Sequence, residues 1–420
     1  MESALRRGQL WEAASMSEGG IVFTSQQTDE NLTGANTRRV TFGDVDQIGP
    51  DDLAGRYLRQ FWQPVMHSHD LEAGRALPLN ILDEQFTIYR GESGKPFVIS
   101  SRCPHRSAPM HAGWVQGDEI RCFYHGWKFA GDGTCTEQPA ERPAFCERAG
   151  IKSYPTQEYI GLIFVFFGEG EPPEMPRYPA FDSKDVVVTY DTYKRPCSYY
   201  NNLENSGDFS HIAFTHSSLH GSWDESNQEP TIMAEESPWG VTMTNAFPDG
   251  RRIVYQFGMP NILHARVLPD DPNYDYREFL AIWVPIDDDN HIQFTLTSTP
   301  NVPGKIEGYL KRRAERFAGY DQDPVEIARK IVSGQMKYED VDPKRVWLVV
   351  LQDNIVQTGV GRPSRRPPEL LGRSDACVLR QRRVWLRELQ KFADGKPLKQ
   401  WRYDPAEVPV HSEFFTTKKN

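Results

Sequence analysis

The sequence predicts an α+β protein of two domains, a small all-β one followed by a larger one whose antiparallel sheet is flanked by helices. Three observations predict it. The chain has 420 residues, against roughly 150 for a typical domain. Between Leu77 and Val165 it reads as short strand-like pieces such as FTIYR, PFVIS and GLIFVFF, broken by Gly, Pro and Asp turn signals. Beyond residue 179, strand-like pieces alternate with longer stretches of helical period.

Taken in order, residues 1–40 are rich in Ser, Thr, Gln, Asn and Gly without a sustained apolar period, and are expected to form a polar, mobile tail. The segment GPDDLAGRYLRQFWQPV places Leu53, Tyr57, Leu58 and Phe61 at helical spacing behind an acidic first turn, and ends before Pro64. One short helix fits there. The small β-domain is assigned to residues 41–170. The stretch GEGEPPEMPRYP, residues 168–179, cannot continue a central strand and marks the boundary. Residues 171–420 form the larger domain, with strands at VVVTY, GVTMTNAF, RRIVYQF, FLAIWVPI and HIQFTLTS. Its helices are expected at PVEIARKIVSGQMKY, RVWLVVLQDNIVQ and ACVLRQRRVWLRELQKF.

Composition excludes several classes. Lys and Arg number 48 against 58 Asp and Glu, a net charge of −10, with no long basic block, which argues against a nucleic-acid partner. The apolar run Leu162–Phe167 falls far short of the ~20 residues of a membrane-spanning helix. The opening MESALRRGQLWEAAS lacks the apolar core and cleavage site of a secretory signal, so a cytoplasmic location is expected. Six cysteines are too few for a disulfide scaffold, and only two of them stand in a pattern. Cys135, Cys146, Cys197 and Cys377 are read as isolated free thiols.

That pattern lies in SRCPHRSAPMHAGWVQGDEIRCFYHGWKF. Cys103-Pro104-His105 and Cys122-Phe123-Tyr124-His125 each offer one thiolate and one imidazole from a short loop. A 2Fe–2S cluster with two Cys on one iron and two His on the other needs that arrangement, and the neutral imidazoles raise its potential above that of an all-cysteine cluster. Gly113, Gly117 and Gly126 are expected to let the backbone approach the sulfides. The competing reading is structural zinc, although zinc fingers usually separate paired ligands by two or more residues. His111 falls between the pairs and is taken as a structural or surface histidine.

A second group lies in NNLENSGDFSHIAFTHSSLHG, where Asp208, His211 and His216 are spaced D-x-x-H-x-x-x-x-H. Asp208 and His211 would share a helix face. His211 and His216, five apart, are roughly 140° out of phase on a helix, so they meet on one metal only if the helix bends or ends between them. Two imidazoles need a carboxylate to complete the facial triad of a non-haem ferrous site. In RVWLVVLQDNIVQTG, Asp353 sits among apolar neighbours, where a buried carboxylate is costly unless a cation compensates it; it is the third candidate ligand. A satisfied core network is the competing reading. No spacing singles out His67, His69, His220 or His264.

With these residues in hand, the sequence resembles the catalytic α subunits of Rieske non-haem iron oxygenases over about residues 45–385, and within them the phthalate dioxygenase-like branch. The matching strings are RQFWQPV, CPHRSAPMHAGWVQGDEIRCFYHGWKF, ENSGDFSHIAFTH, LQDNIVQTGVG and LLGRSD. The resemblance implies that Cys103, His105, Cys122 and His125 hold a Rieske 2Fe–2S cluster and that His211, His216 and Asp353 hold a mononuclear Fe(II). It implies that Asp208 bridges a cluster histidine of the neighbouring subunit to His211, hence a homotrimer or a dimer of trimers. Thr358 departs from the pattern, since related enzymes often carry Glu after the glutamine.

The family chemistry implies an oxygenase for a small aromatic compound in aromatic catabolism, either hydroxylating the ring with O2 or removing an O-methyl group as formaldehyde. Electrons would come from NAD(P)H through a separate flavin and iron–sulfur reductase, with or without a ferredoxin, because no Gly-rich dinucleotide fingerprint is present. Arg195, Arg251 and Arg252 could bind a substrate carboxylate, but exposed, solvated roles are expected for them. Phe209 and Phe214 are candidates for the pocket or for core packing. The alternatives are an electron-transfer Rieske protein without oxygenase activity and a zinc-stabilised binding module.

Overall fold

A computed structural model describes residues 21–23, 38–216, 230–248, 250, 252–267, 274, 277–317, 323–345, 347–406 and 411–412. The chain divides into two compact units: residues 47–176 with 284–288, and the remainder. The first strand, β1 (Ile21–Phe23), belongs to the larger unit; it is an apolar triplet in the polar N-terminal stretch.

In the smaller unit, helix α1 (Leu53–Leu58) buries Ala54, Gly55, Tyr57 and Leu58. Strands β2 (Trp62–His67), β3 (Ala76–Ile81), β4 (Glu84–Arg90) and β5 (Pro96–Ser100) are followed by β6 (Trp114–Gln116), β7 (Glu119–Arg121), β8 (Lys128–Phe129) and β9 (Cys135–Glu137). The unit continues through β10 (Ser153–Tyr154), β11 (Thr156–Tyr159) and β12 (Leu162–Phe166). They form three antiparallel sheets in the orders β10-β5-β4-β3, β11-β12-β2 and β6-β7-β8-β9. Strand β12 is apolar throughout because it is central in its sheet and every residue is buried. Residues 284–288 belong here because the main-chain N–H groups of Leu82 and Asp83 donate to the carbonyls of Pro285 and Ile286 at 2.9 and 2.8 Å. Tyr89, Ile99, Met110, Ile120, Trp127 and Phe129 form one core cluster, and Cys103 and Cys122 are buried in it.

In the larger unit the chain forms β13 (Val186–Arg195), α2 (Tyr199–Gly207), α3 (Ser210–Thr215), β14 (Thr231–Glu236), β15 (Gly240–Ala246), β16 (Arg252–Gly258), β17 (Ile262–Val267), β18 (Arg277–Pro285) and β19 (His291–Pro300). Helices α4 (Ile306–Phe317), α5 (Pro324–Val332) and α6 (Leu348–Gly359) follow, then β20 (Glu369–Leu371), α7 (Ala376–Ala393) and β21 (His411–Ser412). The central sheet is antiparallel, in the order β13-β19-β18-β17-β16-β15-β14, with β21 beside β16. Strand β1 pairs with β20. β13 and β19 pair over ten residues, from Val186↔Pro300 to Arg195↔His291.

Helix starts follow local chemistry. Asp323 caps α5 by accepting from the Val325 N–H at 2.9 Å, ahead of Pro324 at the first helical position. Ser198 caps α2 at the Tyr200 N–H. The α5 face of Ile327 and Ala328 clusters with Leu348 and Leu351 of α6. Among the described residues no helix is long and apolar enough to cross a membrane.

Candidate metal centres

The two cysteine-histidine loops are built alike. The Cys103 N–H donates to the Ala108 carbonyl at 2.8 Å and the Cys103 carbonyl accepts from Ser107 at 2.9 Å. In the second loop the Cys122 N–H donates to the Trp127 carbonyl at 2.8 Å and the Cys122 carbonyl accepts from Gly126 at 3.1 Å. In each loop the residue four after the cysteine has a left-handed backbone, φ 56° at Ser107 and 72° at Gly126. One extra residue separates Cys from His in the second loop without changing this frame.

The expectation for the glycines is corrected in part. A Cβ at Gly113 would lie 2.0 Å from the Arg121 carbonyl oxygen, so this glycine serves the close approach of two chain segments. Gly117, φ 63°, occupies the turn between β6 and β7.

The frame buries the two thiols side by side and leaves the imidazoles half-exposed. Burial pushes the Cys103 thiol up to about 11, and the adjacent Cys122 thiol adds to this. A thiol raised in this way is protonated until metal displaces the proton. The rings of His105 and His125 lie 4.5 Å apart, and His105 stacks on Trp127 at 4.6 Å. Among the described residues, the one set of three or more ligand-type side chains within 4.8 Å of each other is His211, His216 and Asp353. No three of the four loop residues gather that tightly, as one tetrahedral zinc would require. Two buried thiols and two outward imidazoles, each pair together but apart from the other, instead fit a two-iron cluster.

The histidine pair of the larger unit lies at a break between helices. α2 ends at Gly207 and α3 starts at Ser210, so Asp208, with φ −95° and ψ 102°, sits between them. Asp208 therefore does not share a helix face with His211, as its spacing had suggested. Its Oδ1 accepts from the Ser210 and His211 N–H groups at 2.9 and 3.3 Å, capping α3. His211 Nδ1 lies 2.5 Å from the main-chain carbonyl of Asp208, and the carboxylate stands 3.8 Å away. α3 stops at His216, whose backbone leaves the helical region, and the two imidazole rings meet edge-on with centroids 5.2 Å apart.

Asp353 reaches this pair from α6. Its Oδ1 lies 3.3 Å from His216 Nε2, and its Oδ2 accepts from Arg195 at 3.3 Å. Burial acts to raise the Asp353 carboxyl pKa, but the His216 hydrogen bond and the Arg195 charge overcome it and hold the group below its ordinary range. His216 is raised in turn: burial opposes protonation, and the Asp353 carboxylate outweighs it. A metal would replace that proton as the compensating cation. Because a carbonyl oxygen only accepts, His211 Nδ1 carries the hydrogen. His216 Nδ1 likewise donates to Gln352 Oε1 at 2.8 Å, since the Gln352 amide nitrogen is directed at Tyr338 Oη, 2.5 Å away. Both Nε2 atoms are then left as lone pairs toward Asp353. Two neutral imidazoles and one buried carboxylate are the donor set of a ferrous site with open positions.

Some expectations are corrected here. Arg195 is 3% exposed and bound to Asp353, so it is neither solvated nor free for a substrate. Arg252 is exposed. Phe214 is 71% exposed and so is not in the core, while Phe209 is half-buried and packs edge-on against Phe247. His67 is buried, His69 is exposed, and His264 bonds Glu278 at 2.9 Å. Arg251 and His220 lie outside the described residues. Sequence reasoning missed Asn205, whose amide nitrogen lies 3.3 Å from Asp353 Oδ1 and 3.5 Å from His211 Nε2. It also missed Gln352. A signal existed for the latter, as a polar residue beside Asp353 on a helix that otherwise opens with apolar ones.

The model of the Rieske [2Fe-2S] domain family matches residues 61–155. The chain is 27% identical to the oxygenase subunit of 5,5'-dehydrodivanillate O-demethylase of Sphingobium sp., covering 86% of this chain and 82% of that one. The chain is similar over most of its length to Rieske non-haem iron oxygenases. It is also 28% identical to the oxygenase subunit of 3-chlorobenzoate-3,4-dioxygenase of Comamonas testosteroni, over 64% of this chain and 65% of that one. Pseudomonas putida CBB5 NdmA shares the fold of this chain at TM-score 0.58 and 23% identity, covering 81% of this chain and 93% of that one. The terminal oxygenase of carbazole 1,9a-dioxygenase from Novosphingobium sp. KA1 does so at TM-score 0.57 and 19% identity, covering 82% and 94%. The cofactors of this chain are a Rieske 2Fe–2S cluster and a mononuclear iron.

Proposed function

We propose that this chain is the oxygenase component of a system that hydroxylates a small aromatic compound, by ring hydroxylation or by oxidative O-demethylation. The observation that carries the reading is the convergence of His211, His216 and Asp353 in a chain that also carries the paired cysteine-histidine loops. In this reading Cys103, His105, Cys122 and His125 hold the cluster, and His211, His216 and Asp353 hold the iron. Residues 41–170 form the electron-receiving domain and residues 171–420 the catalytic one. The curated relatives named for a methoxylated biaryl and for a chlorinated benzoate support an aromatic substrate.

When bound, the mononuclear iron supplies activation of dioxygen, with electrons relayed singly from the cluster. The chain's own residues do the rest. The Asp208 carbonyl and Gln352 hold each histidine in the tautomer that directs Nε2 inward. For a methoxyarene, one oxygen atom of O2 enters the methyl C–H bond and the other leaves as water with two electrons and two protons. The resulting hemiacetal separates into phenol and formaldehyde.

In this reading the Asp208 carboxylate meets a cluster histidine of a second copy, and its one-third exposure supports this. Trp114, Phe123 and Tyr124 are exposed beside the half-exposed cluster histidines, an apolar surface suited to such a neighbour. This supports a head-to-tail homotrimer, or a dimer of trimers, working in the cytoplasm with a flavin and iron–sulfur reductase, directly or through a ferredoxin. The test is a screen of methoxyarenes and aromatic acids with NAD(P)H and a surrogate reductase, scoring formaldehyde against diols. Substrate-dependent product supports the reading. A reduced cluster that yields no product with any member of the panel contradicts it.

A further inference from the structure

Arg195 closes β13 and is buried on every side of its guanidinium. Nη2 donates to Asp353 Oδ2 at 3.3 Å, Nη1 to Asn354 Oδ1 at 3.1 Å and Nε to Gln293 Oε1 at 3.1 Å. The guanidinium carbon stands 5.1 Å from the Tyr193 ring centroid. Gln293 is itself fixed, accepting from Asn202 at 2.8 Å and donating to Thr295 at 2.9 Å. The guanidinium thus has one seat, and that seat faces a single carboxylate oxygen.

The two oxygens of Asp353 are divided between different surroundings. Oδ1 faces His216 Nε2 and the Asn205 amide, each at 3.3 Å, and Oδ2 faces Arg195. Resting on the ligand assignment above, we propose that Arg195 is a positioning residue that retains Oδ2 of Asp353, so that the carboxylate offers iron one oxygen and a coordination position stays open for dioxygen. Turning Oδ2 onto the metal would leave a buried guanidinium N–H without its acceptor. The fixed positive charge also opposes a divalent cation a few ångströms away. Charge and geometry together trade iron affinity for an open site.

A mere brace and a charge-bearing positioner predict opposite signs. The test titrates Fe(II) anaerobically, against a competing chelator, into the full oxygenase with its cluster intact and its mononuclear iron removed. Relative to wild type, Arg195→Met binds at least about tenfold more tightly, since the repulsion is gone and both carboxylate oxygens are available. Arg195→Lys stays near wild type. The electron paramagnetic resonance signal of the nitric oxide adduct changes in Arg195→Met and is restored in Arg195→Lys. Weaker or unchanged binding in a folded Arg195→Met with an unaltered cluster spectrum overturns the proposal. If that variant does not fold, the crystal structure of iron-loaded wild type decides. One Asp353 oxygen on iron, with the other still on Arg195, upholds the proposal, and both oxygens on iron overturn it. Wild type that takes up no mononuclear iron refutes the ligand assignment instead, a separate failure.

Discussion

At the scale of single residues, Asp208 combines two tasks that substitution can separate. Its side-chain Oδ1 caps α3 while its main-chain carbonyl holds His211. Asp208→Asn keeps an acceptor for the cap and leaves the carbonyl in place, so both metals stay bound. What it removes is the negative charge that would bridge to a cluster histidine. Product formation is expected to fall by about a hundredfold, and wild-type turnover in that variant would refute the bridge. Asp353→Ala has a different signature: mononuclear iron is lost and cluster colour remains, which iron quantification and visible absorption read together. Retained iron would mean that another carboxylate is the ligand. Asp208, His211 and His216 stood out in the sequence because they fall in one short spacing. The role of Arg195 did not, because its partners Asp353 and Gln293 lie 158 and 98 positions away, and an arginine carries no local mark of burial.

At the scale of elements, α6 shows how a pattern can single out a residue by an incomplete argument. Asp353 was singled out for its apolar neighbours. In the structure Val349, Val356 and Val360 are 37%, 39% and 47% exposed, and the buried residues of α6 include Gln352, Asp353, Asn354 and Gln357. The buried face is therefore largely polar, and its groups find partners on α2, α3 and β13, which no periodicity along α6 could reveal. Helix α2 is held by Glu204, which both Arg366 and Arg382 engage. Burial acts to raise this carboxyl, but the two guanidinium groups overcome it and lower its pKa. Glu204→Gln is expected to destabilise the larger unit by about 3 kcal/mol, the lower part of the range for a broken buried pair because Glu369 still engages both arginines. Denaturant unfolding measures this, and an unchanged midpoint would refute it.

On β19, beside Arg195 of β13, burial pushes His291 down to about 3. The unfolded chain takes up this proton near its ordinary value of about 6.5, so stability declines from pH 6.5 toward pH 3 as only the unfolded state binds it. His291→Gln retains a donor for the Cys197 carbonyl, met by His291 Nδ1 at 2.8 Å. It should flatten the melting temperature's dependence on pH between 7 and 5 by up to one proton's worth. An unaltered slope would show that His291 does not contribute.

At the scale of the whole molecule, the two metal centres have different work, and in the proposed function one copy's cluster serves the next copy's iron. If electrons cross between subunits, mixing a Cys122→Ser chain, which lacks the cluster, with an Asp353→Ala chain, which lacks the iron, regains activity that neither has alone. Transfer confined within one chain gives no recovery. Single strands were legible, since β12, β13 and β19 announced themselves in GLIFVFF, VVVTY and HIQFTLTS, but the order of the sheets was not. That Ile21–Phe23 should pair with Glu369–Leu371 was not legible either, for the two segments are brought together by everything folded between them. The most direct test of the central claim is the iron count of anaerobically purified, iron-replete protein, taken with its cluster absorbance. Three irons per chain, two bleaching with dithionite as a Rieske centre and one ferrous and removable by chelator, is the predicted result. Two irons per chain, all within the cluster, would contradict it.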